Sequence, residues 1–292
     1  MVLVQVLAKL ARPAAMAAMM SVAGAAAGHA ADLKEMLPET IRQAGVLHLA
    51  TEAKWPPYAF IDADGTLRGY EVDLAAAIAA KLGVKVETES IDFAGLIPGI
   101  MSNRYDVAML SISENAERRK TLNFVNYANA AMGAFAMEDN QAATSEVVSM
   151  CGKTVGVQSG TSYVGFLEND LTQFCVSKGM AKPDLKLFTA GDAQILALYS
   201  GRVDFILTGA SMAGEIKAKG PRPIRMVDGS TFPKDFVGMI VLKQNTQLSE
   251  ALLAGLQAVY ADGTYDKIMA KWNVEGMKIG APGINLAEKA GQ

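Results

Sequence analysis

The sequence predicts an α/β protein of two similar lobes, and three observations carry that prediction. Short apolar runs rich in β-branched residues alternate with helix-period stretches, the alternation resumes in the second half, and one short module occurs in both halves. In the first half Val46–Thr51 predicts a strand, residues 71–82 a helix stopped by Gly83, and residues 84–88 a strand. In the second, Thr154–Gln158 and residues 185–188 predict strands, residues 192–200 a helix and residues 203–207 a strand. The repeated module sets residues 99–107 against residues 197–205: a helix end, a Ser-x-Arg-x-Asp turn and an apolar strand. Asn103 and Gly201 occupy the position where a left-handed residue ends a helix, so Arg104 and Arg202 read as structural. Residues 141–149 fit a connector, and residues 247–262 and 265–272 read as closing helices split by Gly263. Residues 281–292 carry no pattern and predict a frayed tail. The length of 292 residues suits two cores of about 100 to 150 residues each.

Composition narrows the function classes. Half the chain is apolar and a fifth is charged, with a net charge of -3, so there is no footprint for nucleic acid or anionic lipid. The first thirty residues stand apart: Lys9 and Arg12 precede an uncharged Ala/Met/Gly-rich stretch, residues 14–27, and Gly28-His29-Ala30 offers small residues for cleavage after Ala30. The stretch falls short of the roughly 18 to 20 apolar residues that span a bilayer. The reading is therefore an export signal at 1–30, with no cysteine beside the cleavage point to carry a lipid. Cys151 and Cys175 are the two cysteines. They permit one bridge, worth about 3 kcal/mol by the chain-entropy model, or two buried thiols; export favours the bridge. His29 leaves with the signal, and His48 is a lone strand residue expected to be packed. No metal-ligand cluster, phosphate loop, nucleophile elbow or dinucleotide fingerprint occurs, so neither cofactor nor metal is expected.

Trp55-Pro56-Pro57-Tyr58-Ala59-Phe60, followed by Asp64-Gly65-Thr66-Leu67-Arg68-Gly69-Tyr70-Glu71-Val72-Asp73-Leu74, resembles the opening of bacterial extracellular solute-binding protein family 3. Members of that family feed polar amino acids to ABC importers. The likeness continues in order through Phe93-Ala94-Gly95-Leu96-Ile97-Pro98, Tyr105-Asp106-Val107, Glu117-Arg118-Arg119-Lys120, Gly152 to Thr161, Gly201-Arg202-Val203-Asp204 and Asp262-Gly263-Thr264-Tyr265. It implies a periplasmic-binding-protein-like fold of type II, with two α/β lobes, two crossovers and a ligand cleft between them. The expected division is 31–132 and 237–280 for lobe 1 and 133–236 for lobe 2. The implied protein is periplasmic, monomeric and a partner of a membrane permease; presenting ligand to a chemoreceptor would use the same cleft.

The resemblance also assigns a site. Arg118 matches the family's carboxylate arginine, whose planar fork offers two parallel charge-assisted hydrogen bonds, although composition alone reads residues 118–120 as a solvated face. Ser111 and Ser113 add donors. Thr161 and Ser162, between a strand and a helix, are placed to meet the same carboxylate from the other lobe, or simply to cap that helix. Trp55, Tyr58 and Phe93 match rings that sandwich the ligand side chain, and Glu52 falls where relatives carry an acidic contact. Position 209 departs from the family: an aspartate that grips the ligand ammonium is replaced by Gly209. A buried ammonium without an acid is costly, so the ligand either lacks an α-ammonium or presents its cation elsewhere. The rival reading is a periplasmic dehydratase of the cyclohexadienyl or arogenate type on the same scaffold, with Glu52 or Glu168 as the acid.

Overall fold

The computed structural model describes residues 33–220, 222–227, 232 and 234–291. The expected signal segment, 1–30, lies outside the described residues. Among those described, no helix is long and apolar enough to cross a membrane.

In chain order the strands are β1 (Val46–Thr51), β2 (Lys54–Trp55), β3 (Ala59–Ile61), β4 (Leu67–Arg68), β5 (Lys85–Ser90), β6 (Val107–Ser113), β7 (Leu122–Met137), β8 (Thr154–Gln158), β9 (Asp184–Phe188), β10 (Phe205–Gly209), β11 (Ile224–Met226), β12 (Lys234–Leu242) and β13 (Gly283–Ile284). One lobe is built on the order β5-β1-β6-β12-β7, with β1, β5 and β6 parallel and β12 antiparallel to both β6 and β7. The other follows β7-β10-β8-β9, parallel from β10 onward. A single 16-residue strand, β7, serves both sheets: residues 122–131 pair with β12, and residues 132–136 pair with β10. The chain returns through β12, whose first residue Lys234 already pairs with Ala131 of the first lobe. That pairing is the physical form of the two crossovers.

The repeated module folds the same way twice. Asn103 (φ 57°) and Gly201 (φ 70°) are left-handed. Asp106 accepts the His48 N–H at 2.9 Å and donates its own N–H to the His48 carbonyl at 3.0 Å. Asp204 does the same with Thr154, at 3.0 and 2.9 Å. Each aspartate thus seats the new strand against its parallel neighbour, which is why β10 starts at Phe205, two residues later than the pattern predicts. Arg104 and Arg202 lie on the surface, the first on Glu89 and the second on Ser200. Around these sheets Tyr70, Phe124, Tyr127 and Tyr265 fill one core and Phe205, Val155, Leu167 and Leu171 the other. Each fully buried large side chain contributes about 1.5 to 3 kcal/mol. Cys151 and Cys175 form a disulfide in the second lobe.

Two expectations are corrected. His48 is not packed: it faces solvent from β1, with Nδ1 3.8 Å from Glu87. The C-terminal segment is not patternless, because β13 pairs with β7 and is followed by the helix Leu286–Lys289. Asn285 accepts the Phe124 N–H at 2.9 Å, and the buried Glu114 carboxylate accepts the N–H groups of Ala287 and Glu288. Those partners are remote in sequence, so local periodicity carries no trace of the docking.

Candidate functional site

Parallel strands of α/β sheets leave a crevice at their carboxyl ends, and here the crevices of two sheets face each other. A cavity of about 60 Å³ lies between the lobes. It is reached by the ends of β6 (Leu110, Ser111, Ser113), β8 (Gln158) and β10 (Thr208, Gly209), by Trp55, Tyr58 and Phe93, and by Arg118, Thr161, Ser162, Tyr163 and Met212. Every site residue expected from the sequence is among them except Glu52.

Arg118 sits in the turn Arg118–Lys120, where Asn115 accepts its backbone N–H at 2.9 Å. Its guanidinium donates to the Ser113 carbonyl at 2.6 Å in one lobe and to the Gly160 carbonyl at 2.7 Å in the other. Two of five N–H donors are thereby committed, leaving donors for a guest. Burial pulls this guanidinium down to about 10, against the opposing pull of Asp235. Ser111 adopts φ 45°, a left-handed conformation uncommon for a side-chain-bearing residue. Its N–H is held by the Glu71 carboxylate at 2.8 Å and the Tyr127 hydroxyl at 3.2 Å, while its own hydroxyl is buried without a partner among the described residues. An orphan hydroxyl on the wall of this cavity is costly unless a guest satisfies it. Thr161 does not cap the following helix; its hydroxyl donates to the Gln158 carbonyl at 2.8 Å.

The lobes are closed. Ser162 donates to Ser113 at 3.2 Å, the Tyr58 hydroxyl bonds Ser211, and the Cζ2–Cη2 edge of Trp55 abuts Gly191. A Cβ added at Gly191 would fall 1.5 Å from Trp55 Cζ2. The substitution Gly191→Ala is therefore expected to hold the lobes apart and to weaken ligand binding about tenfold, from an overpacking cost of about 1 to 3 kcal/mol. Titration calorimetry together with the radius of gyration in saturating ligand checks it; a variant that closes and binds normally contradicts the packing argument.

Glu52 departs from its expected role. Its side chain is fully buried behind the cavity wall, accepting from Trp55 Nε1 at 2.7 Å and from Gln158 Nε2 at 3.0 Å. It braces the tryptophan and ties the lobes, instead of meeting a guest. Glu168 is exposed on the second lobe, outside the cavity. Gly209 has a steric reason: a Cβ there would lie 2.8 Å from the Tyr58 hydroxyl, so the tyrosine occupies the space a side chain would need. Burial pushes that phenol up to about 12 and keeps it neutral. Sequence reasoning missed Gln158, Thr208, Tyr163, Met212 and Leu110. Gln158 ends β8 three residues before the marked Thr161, and Thr208 directly precedes the marked Gly209 at the end of β10; these carboxyl ends of strands are the signal that would have found them.

A family model described as bacterial extracellular solute-binding proteins, family 3, matches residues 47–275. The chain belongs to this family. Among solute-binding proteins, the arginine-binding protein ArgT of Corynebacterium glutamicum is 25% identical over 252 residues, 84% of this chain and 79% of the relative. An ancestral arginine-binding protein solved with glutamine bound superposes at TM-score 0.70, with 35% identity over 79% of this chain and 99% of that one. The ancestral amino acid-binding protein AncCDT-1, a precursor of cyclohexadienyl dehydratase, superposes at 0.67 with 27% identity, over 80% and 98%. The type II two-lobe architecture seen here is the architecture of these neighbours.

Proposed function

We propose that this chain captures a small carboxylate-bearing, amino-acid-like ligand in the cleft and delivers it, from the periplasm and as a monomer, to the membrane permease of an ABC importer. The observation that carries the reading is Arg118, tied to one carbonyl of each lobe in a ring-walled cavity that Ser111, whose hydroxyl has no partner among the described residues, also lines. A carboxylate bound there touches both lobes at once, so it stabilises the closed form by its differential affinity for it. Binding without catalysis fits the carboxylates: Glu52 lies behind the cavity wall with one oxygen accepting from Trp55 and Gln158, and Glu168 lies outside the cavity.

Thermal unfolding with a panel of small carboxylates, amino acids and matched amines tests this. Carboxylate ligands at a hundred times their Kd are expected to add about 2.7 kcal/mol of stability, and the matched amines none. Stabilisation by amines lacking a carboxylate would overturn the assignment of Arg118. Turnover of prephenate or arogenate, abolished by changing one carboxylate, would instead establish the dehydratase reading.

A further inference from the structure

Glu114 directly follows β6, whose last residue Ser113 lines the cavity, and its own side chain is fully buried outside that cavity. A carboxylate has about four acceptor sites, and here each is taken. Oε1 accepts from Arg119 Nη1 at 3.0 Å and from the Glu288 N–H at 3.3 Å. Oε2 accepts from Asn126 Nδ2 at 2.9 Å and from the Ala287 N–H at 3.2 Å. The Glu114 N–H donates to the Phe236 carbonyl at 2.8 Å. One residue thus joins the turn that carries Arg118, the two strands β7 and β12 by which the chain crosses between lobes, and the C-terminal segment.

That last segment lies beyond residue 275, where the match to the family ends. It is nonetheless fixed in place. Asn285, left-handed at φ 53°, accepts the Phe124 N–H at 2.9 Å and donates its side-chain amide to Asn123 Oδ1 at 3.3 Å. The Leu286 N–H donates to Asn126 Oδ1 at 2.9 Å, so the same asparagine that holds Glu114 also holds the chain end.

We propose that Glu114 is a positioning residue for the Arg118 clamp and that the C-terminal segment, by completing the shell of donors around it, sets how tightly the cleft holds a carboxylate. This role presupposes the reading of Arg118 as that clamp. Glu114 stands between the two residues that hold Arg118: the Ser113 carbonyl accepts from the guanidinium at 2.6 Å, and the Asn115 side chain accepts the backbone N–H at 2.9 Å. On the other side of Arg118, Arg119 is drawn back onto Glu114. Both flanks of the clamp are therefore footed on one buried carboxylate. Loss of a donor would leave part of a buried charge uncompensated, and the carboxylate would have to shift, taking the backbone of residues 113–115 with it. Held still, the guanidinium presents its remaining donors in one direction, so less ordering is left to be done when a guest arrives.

Two full-length variants test this. Glu114→Gln keeps the shape, but whichever way its amide turns, an NH2 group faces two of the four donors. Asn285→Gly keeps the left-handed backbone and removes two side-chain bonds without touching the buried acid, so it decides the matter alone where Glu114→Gln fails to fold. Rotation of the Arg118 guanidinium about its Cζ–Nε bond is followed by NMR, with the surface residue Arg104 as control. Affinities are measured by calorimetry for L-glutamine against L-glutaminamide and for L-arginine against L-argininamide. Each variant is expected to speed the Arg118 rotation about fivefold or more and to leave Arg104 unchanged. The preference for acid over amide should fall by about 2- to 30-fold. Unchanged rotation, with acid and amide weakened equally, is what a merely structural Glu114 would give; it overturns the positioning role and leaves the Arg118 clamp standing. A wild type that binds neither acid more tightly than its amide overturns the clamp itself, and the role of Glu114 with it.

Discussion

Replacing Arg118 with alanine is expected to lower affinity for carboxylate ligands by two to three orders of magnitude while leaving the ligand-free protein folded. Removing one member of a desolvated charge pair costs about 2 to 5 kcal/mol, or roughly 30-fold to several thousand-fold in Kd. Arg118 lies toward the upper part of that range because the same guanidinium holds the Ser113 and Gly160 carbonyls, so its loss also releases a contact between the lobes. Stability of the empty protein is expected to change little: burial already disfavours the charge, and the residue begins a turn of only three residues. Arg118→Lys should recover only part of the affinity, since a single ammonium cannot span two carbonyls and still offer a paired fork to a carboxylate. Calorimetry with the best ligand of the panel, alongside thermal unfolding of the ligand-free variants, provides both readouts. An alanine variant that binds within a few-fold of wild type would remove the carboxylate from this account.

Much of the fold was legible because its signals are local. Val46–Thr51 and Thr154–Gln158 are strands at the expected residues, and the Ser-x-Arg-x-Asp turn recurs because each lobe needs the same aspartate to seat a new parallel strand. The cavity-lining residues were legible through resemblance, since Arg118, Ser111, Ser113 and the three rings stand within quotable motifs. What escaped depends on contacts between distant segments. Glu52 looks like an exposed acid until Gln158 arrives from the other lobe. The C-terminal docking depends on Glu114, whose carboxylate accepts the Ala287 N–H from 173 residues away. The missing acid at 209 was visible, but its reason, the Tyr58 hydroxyl, was not.

A second large effect concerns pH and stems from Glu71, which lies beneath Ser111. One carboxylate oxygen accepts from Tyr127 at 2.6 Å, Tyr70 at 3.0 Å and the Ser111 N–H at 2.8 Å; the other has no partner among the described residues. Burial outweighs these bonds and pushes the carboxyl up to about 7, from 4.5 for an ordinary glutamate. The folded protein therefore keeps a proton that the unfolded chain releases between those values. The unfolded state binds fewer protons in that window, so stability falls as pH rises through it and levels off above about 7. The gap corresponds to roughly 3 kcal/mol, fully present below pH 4.5 and lost by about pH 8. Glu71→Gln mimics the protonated acid in shape and hydrogen bonding, with its amide nitrogen in place of the unpartnered oxygen. It should match wild type near pH 4.5 and exceed it by up to about 3 kcal/mol at pH 8. Denaturant titrations of both proteins at three pH values give the comparison. Tyr58, Tyr70 and Tyr127, which face the same carboxyl, stay neutral throughout because burial raises each of them, so they add no slope. A difference between wild type and Glu71→Gln that does not change with pH would mean the carboxyl is ionised throughout, with the left-handed Ser111 backbone held by a charge and not by a neutral acid.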